Sequence, residues 1–418
     1  MTDFSGFYKL PMAERQKKVK EHAALTDEEM AVLDDTGALK REMADRMIEN
    51  VIGAVHLPLG VATNFRINGK EMLIPMALEE PSVVAAASRA AKMALPEGFK
   101  ADADSPVMTG QVQLVDLPDM DQAIRNLEKN KAEVLRIADE YMKPHAKWGG
   151  KVLDMRARPL NGGRRKMLLV EFDVNVSDAM GANMVNTTLE GVAPTLAALT
   201  DGKIRLRIIT NLATKRKVRA SAVWKKGVIG EEAIEGVLDG YELAKEDIYR
   251  CSTHNKGIMN GIDAVAMATG NDWRAVEAGA HAFAAMGTYH PLTRYEKTAK
   301  GDLMGSIELP LAVATIGGAV NSSPTARIAL KVMGVKGSRE LAMGMACVGL
   351  ANNLAALAAL STVGIQSGHM KLHARNIAVI AGAETPEEID AVAAELAKMK
   401  DFSSETAKKV LDDIRFGK

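Results

Sequence analysis

The segments QVQLVDL (111–117), KVLDMRARPL (151–160), KMLLVEFDVNV (166–176) and KIRLRIIT (203–210) alternate apolar and polar residues. A two-residue period marks a strand with one face buried and the other wet. Between them lie MDQAIRNLEKNKAEVLRIADEY (120–141) and MVNTTLEGVAPTLAALT (184–200), which read as helices. Four such strands with two main helical segments predict a small α/β-sandwich of ferredoxin-like type over residues 107–214, with one sheet face exposed. Helical patterns resume at 231–249, 273–286 and 326–360. The expected fold class is therefore α+β. A large, mostly helical domain (1–106 plus 215–366) carries the small unit as an insertion, and a charged helical flap (367–418) ends the chain.

The N-terminal side fits this plan. Residues 10–50 read as short amphipathic helices, with Thr26 and Glu29 spaced as a capping box. VIGAVHLPLGVATNFRINGKEMLIPMA (51–77) alternates, and Asn68-Gly69 within it is a hairpin signal. Pro81 is expected in the first turn of a helix through PSVVAAASRAAKMA (81–94). The chain has 418 residues, with 53 basic side chains balancing 53 acidic ones, so nothing in the charge calls for nucleic acid or an anionic membrane. Two cysteines, Cys251 and Cys347, make neither a disulfide framework nor a metal pattern. The first residues lack a signal-like apolar stretch, and a cytoplasmic location is the expectation. Residues 341–368 are uncharged over a membrane-spanning length. The polar Asn352, Asn353, Ser361, Thr362 and Gln366 among them favour a buried core helix.

THNKGIMNG (253–261) sets Lys256 among His254, Asn255, Asn260 and two glycines, and ATGND (268–272) follows at once. Lys256 and Asp272 can meet across two neighbouring elements, giving a cation held by a buried carboxylate and able to polarise a carbonyl. The plainer reading is a glycine-rich surface turn with an incidental ion pair. DAMGAN (178–183) follows a strand and opens a helix. There Gly181 lets a ligand approach, and the helix N-terminus favours a pyrophosphate; the alternative is an ordinary Asp-capped turn. Gly317-Gly318 is a second, weaker phosphate-loop signal, and no GxGxxG or P-loop occurs. In ALEEPSVV (77–84), Glu80 reads either as a helix-start charge or as a buried carboxylic acid able to pass protons. His369 suits a general acid as well as a structural histidine. With His373 it has zinc spacing, but no third ligand is evident and no metal is expected. Lys215, Arg216, Lys217, Arg219, Lys225 and Lys226 form the most basic stretch and read as a solvated face, with a phosphate-recognising patch for a cofactor as the alternative.

ENVIG (49–53), LPLGVATNF (57–65), EEPS (79–82), DAMGAN, THNKGIMNG, ATGND and GHMKLHARN (368–376) occur in this order. Together they resemble 3-hydroxy-3-methylglutaryl-coenzyme A (HMG-CoA) reductase of the soluble class II form, over nearly the whole chain. The resemblance implies a catalytic quartet of Glu80, Lys256, Asp272 and His369, with Ser82, Arg250 and Asn260 holding the hydroxymethylglutaryl part. It implies a dinucleotide site on Asp178, Ala179, Met180, Gly181, Ala182 and Asn183 in the small domain, with HMG-CoA bound by the large one. Homodimers or larger homo-oligomers are implied, with active sites at the subunit boundary. The implied reaction is the two-step, four-electron reduction of HMG-CoA to mevalonate and free coenzyme A by two NAD(P)H, on the mevalonate route to isoprenoids. In it Lys256 steadies each oxyanion, Asp272 fixes the lysine, His369 protonates the departing thiolate and Glu80 protonates the aldehyde oxygen.

Departures from the pattern refine the expectation. Arg375 stands where the animal enzymes carry a regulatory serine, so that phosphorylation switch is not expected. NAD-using class II relatives place an aspartate shortly before a GGG turn. Here 141–151 reads YMKPHAKWGGK; that acid is absent and Lys143 is close, which favours NADPH over NADH. Animal-type enzymes take their catalytic lysine from near Lys215, which makes Lys215 the alternative to Lys256. Other readings are the same enzyme run toward mevalonate oxidation, a noncatalytic coenzyme A-binding protein on this fold, and a nucleic-acid binder through 215–226.

Overall fold

The computed structural model describes residues 10–23, 26–27, 30–31, 37, 39–362 and 374–417. Helices α1 (Met12–Ala23) and α2 (Arg41–Met47) lead into the hairpin β1 (Leu59–Ile67) and β2 (Lys70–Ala77). Asn68 (φ 51°) and Gly69 (φ 82°) turn it with positive φ at both central residues, the conformation Asn-Gly favours between twisted strands. Helix α3 (Val83–Met93) starts beyond Ser82, so Pro81 precedes the helix instead of occupying its first turn.

After β3 (Phe99–Ala103) the chain builds a separate sheet. Its elements are β4 (Val107–Val115), α4 (Met120–Lys129), α5 (Lys131–Glu140), β5 (Lys151–Asn161), β6 (Lys166–Asn175), α6 (Ala182–Thr200) and β7 (Lys203–Ile209). The strand order is β5-β6-β4-β7 and every pairing is antiparallel. The helices cover one face, packing Leu127, Val134, Leu189 and Leu196 on Val112, Leu114, Leu168 and Phe172 as a core of their own. The other face carries the polar half of the alternation, including Gln111, Arg156, Glu171 and Asp173, joined by side-chain hydrogen bonds.

The larger body continues through β8 (Lys217–Trp224), α7 (Glu231–Glu246), α8 (Ile248–Ala268) and α9 (Trp273–Ala284). It then runs through β9 (Thr293–Lys297), β10 (Leu303–Pro310), α10 (Pro324–Met333) and α11 (Ser338–Ser361). Helices hold most of its secondary structure, but it also contains a full sheet. Its helices pack on a six-stranded sheet of order β2-β1-β3-β8-β10-β9. Strands β8 and β10 alternate buried and outer residues, and the outer ones include Lys217, Arg219 and Glu308. Arg219 reaches Glu308 (2.5 Å) on the neighbouring strand and Asp104 (2.9 Å), so Lys217 and Arg219 of the basic stretch form part of a half-exposed cross-strand ladder. Trp224 is fully buried, and its Nε1 donates to the Ala90 carbonyl at 2.9 Å, tying α3 to the sheet.

The uncharged helix α11 is a core helix, with 78% of its most apolar window buried. A side chain at Gly349 would meet Ile258 and Ile262 of α8 within about 3 Å, so this glycine permits the close crossing of the two helices. The C-terminal helices α12 (Pro386–Met399) and α13 (Ser404–Phe416) close on a small core of their own that includes Val392, Leu396, Val410 and Leu411.

Candidate active site

The THNKGIMNG motif lies inside α8, not in a surface turn. Gly261 serves packing, since a side chain there would meet Val348 and Asn352 of α11 at 2.7 Å, whereas Gly257 faces open space. The helix presents two faces. His254 and Asn255 are fully buried. His254 Nε2 pairs with Thr293 Oγ1 at 2.6 Å, and burial pushes its imidazole down to about 3, so it stays neutral at working pH. Lys256 points the other way, with its side chain 63% exposed. Asn260 stands one turn further along the same face.

Lys256 ion-pairs with Glu80 at 3.6 Å. Glu80 is carried by the bend between β2 and α3 and is not buried, its side chain being 39% exposed. Two residues on, Ser82 caps α3 in a left-handed conformation (φ 79°, ψ −24°), which is costly for a residue with a side chain. This strained bend directs the EEPS segment toward α8. Arg250 lies in the first turn of the same helix, where its amide is capped by Asp247 at 2.6 Å. Glu80, Lys256 and, along α8, Arg250 and Asn260 are thus brought to one region.

Asp272 is not there. It caps α9, accepting from the Ala275 amide at 3.2 Å, and pairs with Arg274 at 3.1 Å. Helix α8 continues for twelve residues beyond Lys256 before it ends at Ala268. Asn271 then folds back to bond the Ala266 carbonyl. At 1.5 Å per residue this leaves Lys256 and Asp272 roughly 15 Å apart along the axis, beyond the reach of both side chains. The expected intrachain pair is therefore absent. The neighbouring Asn271 clamps the segment that follows β10, donating to the Ala314 carbonyl (3.2 Å) and accepting from its amide (2.7 Å).

Asp272 instead lines a cleft of about 960 Å³. One wall is the 177–184 loop, another the Gly270–Arg274 turn, a third the Ile316–Gly318 turn, and His145 and Trp148 of the small body close one end. Gly181 caps α6 with φ 104°, and a side chain there would meet Val176 at 2.6 Å, so glycine is required twice over. The unpaired amides at the start of α6 face this cleft, a setting for a pyrophosphate. Met180, Met184, Met267 and Ile316 offer apolar surface for flat rings. The residues present thus fit a dinucleotide.

Several expected site residues have other duties. Asp178 does not line the cleft. Its carboxylate accepts from the Ser338 amide at 2.7 Å, pinning the loop to the positive end of α11. Lys143 also lies off the cleft, ion-paired with Glu140. Lys215 is paired with the buried Asp173 on the small sheet and does not approach Glu80. His369 and His373 lie outside the described residues. Among the described residues, no group of three or more His, Cys, Asp or Glu side chains is placed to hold a metal. The residue the sequence hid is Arg216, read there as part of a solvated face. It is 5% exposed and donates to the carbonyls of Ala179 (3.0 Å), Met180 (3.4 Å) and Val313 (2.5 Å). Burial pulls its guanidinium down to about 10, against the favourable field of Asp178. Its sequence signal was its place in the basic stretch at the predicted end of the small unit, which offered a cofactor phosphate patch as an alternative reading.

The family model described as hydroxymethylglutaryl-coenzyme A reductase matches residues 11–374. The 3-hydroxy-3-methylglutaryl-coenzyme A reductase of Archaeoglobus fulgidus is 52% identical over 412 residues, covering 98% of this chain and 94% of the relative. A probable reductase of the same name from Borreliella burgdorferi is 33% identical over 385 residues, 88% of this chain and 86% of that one. Among solved structures, the class II enzyme of Streptococcus pneumoniae bound to NADPH in open conformations superposes with a TM-score of 0.76 at 38% identity. That match covers 97% of this chain and 100% of that one.

Proposed function

We propose that this chain, which belongs to the hydroxymethylglutaryl-coenzyme A reductase family, completes its catalytic centre only between two copies. It is an oxidoreductase that reduces HMG-CoA to mevalonate and coenzyme A with two NAD(P)H, a step of the mevalonate pathway. Glu80, Lys256 and Asn260 come from one copy, and Asp272 with its cleft from the other. The observation that carries this reading is the roughly 15 Å along α8 that separates Lys256 from Asp272 within one chain.

The nicotinamide cofactor supplies a hydride at each of the two reductions. Each reduction places negative charge on the substrate oxygen, and the Lys256 ammonium is the group to meet it. Among the described residues of one chain, Lys256 ion-pairs with the half-exposed Glu80, a pairing of little energy. Asp272 from a second copy would fix its direction and charge. Glu80, adjacent to Lys256, is suited to pass a proton to the aldehyde oxygen in the second reduction. Arg250, Ser82 and Asn260 are proposed to bind the hydroxymethylglutaryl end, with Arg250 on its carboxylate. His369 is proposed as the acid for the departing thiolate.

The same reading assigns 107–214 as a ferredoxin-like cofactor domain, 1–106 with 215–366 as the HMG-CoA domain, and 367–418 as a closing flap. It places the enzyme in the cytoplasm. Ala179 to Asn183 line the dinucleotide cleft, and Asp178 and Arg216 hold that loop in place. The segment 141–151 has no acid beside Gly149, and the S. pneumoniae relative binds NADPH, so NADPH is the proposed cofactor. Purified enzyme is expected to consume two NADPH per HMG-CoA, followed by nicotinamide absorbance, with kcat/KM for NADPH above that for NADH. A folded sample that oxidises neither cofactor in the presence of HMG-CoA would overturn the assignment.

A further inference from the structure

A chain of polar groups runs between α8 and α9 that none of the roles above uses. Asp263 of α8 stands within hydrogen-bonding reach of Glu277 of α9. Glu277 takes His281 Nε2 at 2.8 Å, and His281 Nδ1 meets the Tyr289 hydroxyl at 2.8 Å. Tyr289 reaches Asn255, whose side chain also bonds the His290 carbonyl and the Leu292 amide, each at 3.0 Å. The chain of contacts leaves α8 at Asp263, crosses α9, and returns to α8 one residue before Lys256.

The Asp263 end is unusual. Its Oδ1 is buried and accepts no hydrogen bond. As a carboxylate it would be an uncompensated charge beside a second carboxylate, which burial makes very costly. Among the described residues Glu277 is the one charged group acting on it. Where α11 crosses this stretch of α8, at Gly261, it presents the uncharged Val348 and Asn352. His281 neutralises Glu277, which is held below its usual range first by that histidine. The Tyr289 hydroxyl, raised by burial, remains protonated.

We propose that Asp263 is a positioning residue that keeps its proton in the working enzyme and, by donating a hydrogen bond to Glu277, locks α9 and its cap Asp272 against the helix carrying Lys256. The functional consequence rests on the proposed roles of Lys256 and Asp272; the protonation does not. Burial first, and Glu277 second, push the Asp263 carboxyl up to about 9. A folded-state value above the unfolded 3.8 means the stabilisation is complete below about 4 and is lost as pH rises toward 9.

Asp263→Asn keeps a donor to Glu277 and removes the titration. Its KM for NADPH and its kcat at pH 7 are expected within about twofold of wild type. Above about pH 9 the wild-type KM should climb by up to roughly tenfold per pH unit while the variant stays flat. The melting temperature of wild type should fall relative to the variant between pH 5 and 9. Parallel alkaline limbs and a pH-independent difference in melting temperature would overturn the proposal. The infrared spectrum of wild type alone gives a test that needs no variant. A protonated carboxyl band at neutral pH, lost above about pH 9, is expected, and its absence would be equally decisive against the idea. If the function assigned above were wrong, turnover would be missing while the band and the stability trend persisted.

Discussion

Lys256→Ala is expected to lower kcat by about 10²–10³-fold, the usual cost of removing one donor from a developing oxyanion. The side chain is exposed on α8 and, among the described residues, its ion pair is with Glu80, so truncation is expected to leave no buried orphan. The melting temperature should therefore stay within about a degree or two of wild type, since exposed pairs contribute at most about 1 kcal/mol. Lys215→Ala is the control. Lys215 lies between β7 and β8, paired with Asp173 of the small sheet, and its loss should leave kcat within a few-fold. Steady-state kinetics on both variants decides between the two lysines: a silent Lys256→Ala beside a dead Lys215→Ala would reverse the assignment.

Arg216→Met is expected to act on the cofactor instead of the chemistry. One buried guanidinium holds three carbonyls, two in the loop that lines the proposed dinucleotide cleft and one in the segment after β10. Methionine fills much of the volume but satisfies none of them. Unpaired buried carbonyls cost about 1–3 kcal/mol each, although water from the cleft can rescue those of Ala179 and Met180. The KM for NADPH should rise roughly ten- to a hundredfold, with a smaller change in kcat. Arg216→Lys keeps the charge but not the fork of donors and should fall between the two. Equal losses in kcat and no change in cofactor KM would mean that Arg216 does not hold the loop.

The parts legible in the sequence are those whose partners are close along the chain. Asn68-Gly69 announces its hairpin, and the alternation of residues 111–117 and 166–176 announces the small sheet, because each strand buries one face against nearby helices. The sheet of the larger body was hidden because its pairings are remote. Strand β3 bonds to β8, with Phe99 opposite Ala222. The outer faces of β8 and β10 carry Lys217, Arg219 and Glu308, which masked a regular alternation as a charged surface. Gly257 and Gly261 suggested a turn, yet Gly261 exists to let α11 approach a helix that runs straight through the motif. Lys256 and Asp272 looked like partners across two neighbouring elements, but the unbroken helix α8 sets them apart within one chain. Arg216 was opaque for a related reason: its acceptors are backbone carbonyls up to 97 residues away, and no side-chain pattern records them.

The most direct test of a centre shared between copies is complementation by mixed dimers. Lys256→Ala and Asp272→Asn are each expected to be nearly inactive alone. Unfolding and refolding them together, or co-expressing them, gives mixed dimers in which one of the two sites holds both native residues. Activity should return to roughly a quarter of wild type for random pairing of a two-fold dimer. If the mixture stays as inactive as its components while mixed dimers are demonstrably present, Lys256 and Asp272 act within one chain or not together at all, and the shared centre is refuted.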